Sequence, residues 1–251
     1  MKKRRWFSLF LSFALLLPLF SLTSADAYED FTLDAKAGLL IEADTGEILY
    51  EKNAHQENYP ASLTKVMVAL LVFEAIDEGK IALTDSVTAT ESAFEGLSSD
   101  GSTANIVPGE TMTVEQLLNC MLIVSANEAC NILGETLYGS VDAFVARMNE
   151  RAAELGCEHT HFANATGLHN SQHYTTAWDL YLITREALKH DKFMEICNSK
   201  SYTVPATNMT DKPRELHSTN FLISNWRARG YVYRDAQGIK TGSTPEAGYC
   251  L

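Results

Sequence analysis

Apolar residues in this chain fall into runs of different spacing, and the spacing predicts the elements. Trp6 to Phe20 is almost wholly apolar behind a basic start, Lys2 to Arg5. Ala37 to Tyr50 holds two apolar runs around Asp44-Thr45-Gly46, the pattern of a β-hairpin with a tight turn. Pro60 suits a helix entry, and the run through Val66, Met67, Ala69, Leu70, Leu71 and Phe73 predicts a helix opening at Ser62 and fading near Glu78-Gly79. Residues 80–112 carry many Ser, Thr, Gly and Asp, including Ser98 to Thr103. That composition predicts loops with short elements, one wall of a cleft. Thr113 and Gln116 form a capping-box pattern ahead of Val114 to Val124, which is apolar nearly all round and so should be buried. Ser125-Ala126-Asn127 interrupts it, and a second helical run reaches Tyr138. Val141 to Leu155 is amphipathic and ends at Gly156; 157–175 is a histidine-rich loop, and Thr176 to His190 is helical again. Lys200 to Pro205 and Gln237 to Thr241 read as strands, and Gly248 to Leu251 as the start of another.

Strands at both ends with helices between them predict an α/β (α+β) fold, with an antiparallel sheet from both termini and an inserted helical lobe. Cys250-Leu251 has the pattern of mid-strand, so one further strand or more is expected to be missing beyond it. The basic start, the apolar run and Ser24-Ala25-Asp26-Ala27 predict a signal peptide over 1–27, cleaved after Ala27. The apolar run is shorter than the ~20 residues a spanning helix needs. Residues 28–251 then suit one domain acting outside the cytoplasmic membrane.

Charge narrows the function. The chain carries a net charge of -12, and losing residues 1–27 removes four cations and one anion, leaving -15. No basic stripe offers a footprint for DNA or RNA. Five cysteines, Cys120, Cys130, Cys157, Cys197 and Cys250, form no C-x-x-C pair, and most read as buried free thiols. His159 with His161, and His169 with His173, lack a completing carboxylate or thiolate cluster, so no metal and no cofactor are expected; His173 reads as support for the loop before the Thr176 helix.

Three short signals occur in order: Ser62-x-x-Lys65, Ser125-x-Asn127 and Lys240-Thr241-Gly242. Residues three apart share a helix face, so the Ser62 hydroxyl can meet the Lys65 amine. A serine hydroxyl needs a base to become a nucleophile, and a desolvated lysine can be one. Alone the pair means little, since Ser-x-x-Lys should occur about once in such a chain and Ser62 could simply cap its helix. Ser-x-Asn also has a second copy at Ser218-Thr219-Asn220. The Ser125 copy is preferred because it sits where a buried helix breaks, whereas Ser218 lies in a polar stretch.

Together the three match the S-x-x-K, S-D-N and K-T-G set of penicillin-binding proteins and class A β-lactamases. The chain resembles the serine D-alanyl-D-alanine carboxypeptidases, the low-molecular-mass penicillin-binding proteins, from about residue 30 to the end. Pro60 to Lys65, Thr166-Gly167-Leu168 with His173 to Asp179, and Gly238 to Tyr249 extend the likeness. Ala126 departs from the Asp of β-lactamases and the Gly usual in carboxypeptidases, and no E-x-x-L-N lies between Asn127 and Lys240.

The resemblance implies a β-lactamase/transpeptidase-like fold and these roles. Ser62 attacks the carbonyl between two D-alanines, Lys65 takes its proton, Ser125 relays a proton to the leaving amine, and Asn127 orients the substrate amide. Lys240 and Thr241 hold the terminal carboxylate, Gly242 keeps the strand edge clear, and Ser62 and Ser243 N–H groups form the oxyanion hole. The implied partner is a peptidoglycan stem peptide ending in D-Ala-D-Ala, with β-lactams as inhibitors and membrane association only through a further C-terminal segment. A serine β-lactamase and a non-catalytic cell-wall or β-lactam-sensing module remain the other readings.

Overall fold

The computed structural model describes residues 33–251, so the expected signal peptide lies outside the described residues. The chain divides after Ala35, and the unit Lys36–Leu251 holds every element below. Strands β1 (Gly38–Ile41) and β2 (Ile48–Lys52) form the expected antiparallel hairpin, with Gly46 at φ +74° in its turn. A 3₁₀ turn, Ala61–Thr64, then feeds helix α1 (Lys65–Asp77). From Lys65 to Phe73 every residue of α1 is buried. A helix apolar all round belongs in the centre of a core, and α1 is that centre.

Around it pack α2 (Val114–Ile123), α3 (Asn127–Tyr138), α4 (Val141–Glu154) and α5 (Ala177–Ala187). Thr113 caps α2 in a complete capping box with Gln116, as its sequence predicts. α2 is also buried as expected. Ser140 and Thr176 cap α4 and α5 by accepting from the N–H groups of Ala143 and Asp179. Each of Met67, Leu70, Leu71, Leu117 and Leu118 is at most 1% exposed, and such a side chain contributes about 1.5–3 kcal/mol of hydrophobic stabilisation.

Within 80–112 the short elements are β3 (Ser86–Thr88) and β4 (Thr111–Thr113), paired antiparallel. After α5 come α6 (Asp191–Cys197), β5 (Ser201–Val204) and β6 (Arg214–His217); β5 matches the expected strand, and α6 and β6 had no clear signal. Strands β7 (Gly242–Thr244) and β8 (Gly248–Cys250) close the described chain.

Helices with small antiparallel ladders confirm the α/β class. Two details are corrected. The terminal hairpins β1–β2 and β7–β8 are separate two-stranded ladders, not one sheet, among the described residues. β7 is held by its packing on the 3₁₀ turn, where a Cβ on Gly242 would lie 2.9 Å from the Ser62 nitrogen. The strand expected over Gln237 to Thr241 begins only at Gly242. Before it, side chains take the backbone groups that a ladder would use: Asn198 Oδ1 accepts from Gly238 N–H at 2.6 Å, and Asn220 Nδ2 donates to Gly238 O at 2.5 Å.

The five cysteines are free, four of them buried as expected. Burial pushes the Cys120, Cys157 and Cys197 thiols up to about 12, which keeps them protonated and inert.

Candidate active site

The backbone is bent at the residue before each serine-bearing signal or at the serine itself. Ala61 has φ +48° and Ser125 has φ +67°, left-handed values that cost an L-residue energy and persist only when surroundings over-determine them. At Ser62 the surroundings are Gly167 and Gly242. A Cβ on Gly167, itself at φ +83°, would lie 1.9 Å from Ala61 O. Only glycine lets the 164–168 loop close against the turn.

That loop is organised by one side chain. Asn164 Oδ1 accepts from the N–H groups of Thr166 (3.1 Å) and Gly167 (2.8 Å) and from the Thr166 hydroxyl (3.0 Å). Its Nδ2 donates to Leu168 O at 2.9 Å. The result aims Thr166 O inward, where Lys65 Nζ donates to it at 2.5 Å.

Lys65 Nζ also lies 2.9 Å from Asn127 Oδ1 and 3.0 Å from Ser62 Oγ, and the lysine is wholly buried. Two of these three oxygens, a peptide carbonyl and an amide carbonyl, can only accept. The Ser62 hydroxyl is the one neighbour with a proton to give. A neutral amine fits this triangle by donating to the two carbonyls and accepting from Ser62. Burial, the largest influence, pulls the Lys65 ammonium below its ordinary value, in the direction of the neutral form.

Beneath the turn, Ala163 N–H donates to His173 Nδ1 at 3.0 Å, which leaves the ring proton on Nε2. Nε2 then donates to Thr64 Oγ1 at 2.7 Å, and Thr64 Oγ1 donates to Ala61 O at 2.8 Å. His173 therefore braces the strained residue before Ser62, a more direct role than loop support. Burial, with the neighbouring His161 next, pushes its pKa down to about 4.

Ser125 sits in the break between α2 and α3, and its buried Oγ is the one buried side-chain oxygen or nitrogen without a hydrogen-bond partner among the described residues. A hydroxyl kept unsatisfied inside a wall, at a strained residue, is a group held for something else. Ala126 is fully buried, which explains its smallness: an aspartate there would bury an uncompensated charge. Asn127 N–H donates to Ser102 O at 2.9 Å, and Gly101 leaves only 2.7 Å between its would-be Cβ and Asn127 Nδ2. The 98–103 loop thus lies over Asn127. Buried Glu128 pins it, accepting from Thr103 Oγ1 at 2.7 Å and Ala104 N–H at 2.8 Å.

Lys240 is buried too, donating to Thr241 O at 2.7 Å. Burial first, then the nearby Lys65, lowers its pKa to about 7. Thr241 Oγ1 is 2.6 Å from Thr219 Oγ1, while Ser243 is exposed on β7. The second Ser-x-Asn copy is therefore framed after all. Ser218 and Asn220 are buried, and Thr219 and Asn220 brace the Lys240 segment.

Ser62, Lys65 and Asn127 are thus joined directly, and Gly242 abuts the Ser62 nitrogen. Lys240 and Ser125 make no hydrogen bond to that group. Thr166 O, Asn164, His173 and Glu128 were missed as site residues, although Asn164-Ala-Thr-Gly has the composition of a side-chain-stabilised turn.

Comparison with known proteins points to one family. The D-alanyl-D-alanine carboxypeptidase family, peptidase S11, matches residues 23–251. The D-alanyl-D-alanine carboxypeptidase DacF of Bacillus subtilis is 40% identical over 218 residues, covering 87% of this chain and 53% of DacF. DacC of Escherichia coli is 33% identical, covering 88% of this chain and 53% of DacC. The chain thus spans about half the length of these curated relatives. The crystal structure of the Streptomyces K15 DD-transpeptidase superposes with a TM-score of 0.78 at 31% identity, covering 89% of this chain and 86% of that one. With a match reaching from residue 23 to 251 and two-fifths of its aligned residues shared with one curated member, the chain belongs to the D-alanyl-D-alanine carboxypeptidase family.

Proposed function

We propose that this chain is the catalytic domain, over 28–251, of an exported serine-type D-Ala-D-Ala carboxypeptidase that removes the terminal D-alanine from peptidoglycan pentapeptides. The observation that carries the reading is the buried Lys65 amine, whose only proton-bearing oxygen neighbour is Ser62 Oγ, at 3.0 Å. Residues 1–27 are read as its signal peptide, and the enzyme works on the cell-wall side of the membrane.

Chemistry follows from the groups present. Ser62 Oγ attacks the carbonyl carbon between the two D-alanines while its proton passes to Lys65 Nζ. The oxyanion is received by the N–H groups of Ser62 and Ser243, a reading supported by the close approach of Gly242 to the Ser62 nitrogen. Ser125 Oγ, free of other partners, relays a proton to the leaving amine. The C–N bond breaks, terminal D-Ala departs, and an ester to Ser62 remains. Water then attacks the ester, giving up its proton to Lys65, and Ser62 is restored. Lys240 and Thr241 hold the substrate's terminal carboxylate by a cation and a hydroxyl, and Asn127 orients the preceding amide. A β-lactam forms the same Ser62 ester and leaves slowly. D-Ala release from a peptide ending in D-Ala-D-Ala tests the reading; no release by the protein with Ser62 intact would sink it.

A further inference from the structure

Asn220 Nδ2 and Gly238 O, 2.5 Å apart, pinch off the intervening segment, and Tyr233 N–H closes on Leu222 O at 2.9 Å. The segment leaves and rejoins the body beside the stretch that carries Lys240. Its sequence is unlike the rest of this acidic chain, with Arg227, Arg229 and Arg234 against a single Asp235. All three arginines are exposed, the Arg234 side chain by 95%. Trp226, Tyr231 and Tyr233 are exposed by 62%, 63% and 62%. Trp226 is not loose: it stacks on His217 with ring centroids 3.7 Å apart at 14°, so one face is held and the other is open. Scattered apolar residues on a surface mean little, but exposed aromatic rings, one of them held by stacking, interleaved with guanidinium groups on one segment form a patch.

We infer that this segment, residues 221–236, is a docking surface for peptidoglycan, whose glycan strand offers sugar faces to the aromatic rings and whose stem peptides, entering the adjacent site, carry the carboxylates that meet the arginines. The inference rests on the carboxypeptidase reading for the identity of that polymer. Sugar rings present C–H faces that lie flat on an aromatic face, and the polymer's carboxylates match the guanidinium groups. Charge complementarity requires an anionic occupant. An anionic bilayer would satisfy the charge, but membrane insertion needs a continuous apolar face, and here arginines interrupt the rings along the segment. The segment ends a few residues before Lys240, so a polymer lying on it delivers its peptides toward the carboxylate clamp.

Sedimentation with purified insoluble peptidoglycan tests this, carried out on the Ser62→Ala protein so that nothing is turned over. Trp226→Ala and the triple Arg227→Gln/Arg229→Gln/Arg234→Gln should each weaken binding about tenfold. Salt at about 1 M, where charges act over only about 3 Å, should do the same. With Ser62 restored, the same variants should release D-Ala from a short soluble peptide, and take up penicillin, as the unmodified protein does. Their release from the polymer should fall. Variants that sediment as the parent does would overturn the inference, as would binding to phosphatidylglycerol vesicles but not to peptidoglycan, or an equal loss on peptide and polymer. Failure of the unmodified protein to release D-Ala from the short peptide would count against the carboxypeptidase reading, while sedimentation still decides the docking surface.

Discussion

At the scale of single residues, the site depends on which nitrogen holds a proton. In the proposed mechanism Lys65 must be neutral to take the Ser62 proton, and Lys240 must be charged to hold a carboxylate. Burial lowers both lysines, and Lys65 lowers Lys240 further. As pH falls through the lowered Lys65 value, the amine is protonated and attack slows. As pH rises through about 7, free Lys240 loses its charge and substrate binding weakens. A bell-shaped kcat/KM profile is therefore expected from D-Ala release, and an alkaline limb that stays flat would contradict the clamp role of Lys240. His173 gives a separate signature in stability. Its folded pKa, about 4, is below the ordinary 6.5, so between the two the unfolded chain binds the extra proton. Stability should fall as pH drops from about 6.5 toward about 4, by on the order of 3 kcal/mol, and level off below. His173→Gln should flatten that slope in urea melts at stepped pH.

Among elements, the 164–168 loop and β7 grip the Ser62 turn from two sides, and glycine permits both contacts. Gly167→Ala would drive a Cβ to 1.9 Å from Ala61 O at φ +83°, and should cost more than about 3 kcal/mol and abolish penicillin acylation. Gly109→Ala, at φ +81° with nothing within 4 Å, meets only the backbone penalty of about 1–2 kcal/mol and should acylate normally. Thermal melts and acylation rates on the pair separate contact from conformation. The helices other than α6, the first hairpin and the Thr113 cap were legible in the sequence, because periodicity and cap chemistry are local. The Ser62–Lys65 pair and the Lys240-Thr241-Gly242 triplet were visible in the sequence as residue types. What was hidden is acceptor geometry: Thr166 O is a backbone carbonyl, and no side chain announces it. The Gly238 segment likewise reads as strand, yet Asn198 and Asn220 reach from distant positions to take its backbone groups. Local pattern carries no record of such long-range capture.

Over the whole molecule, one buried helix, α1, delivers Lys65 to a point where α3, the 164–168 loop and β7 converge. The wall above it is held by Glu128, a buried carboxylate with two close donors from the 98–106 segment. Removing those acceptors in Glu128→Ala should cost about 1–3 kcal/mol per donor left unsatisfied and loosen the wall over Asn127. Faster proteolysis within 98–106 would report it. The Ser62–Lys65 pair at 3.0 Å is the centre of the account, and intact-mass spectrometry after a brief penicillin exposure tests it most directly. The expected result is one covalent adduct, mapped to Ser62, that persists through the time course and is lost in Ser62→Ala. Rapid turnover of penicillin with no lasting adduct, or an adduct on another residue, would contradict it.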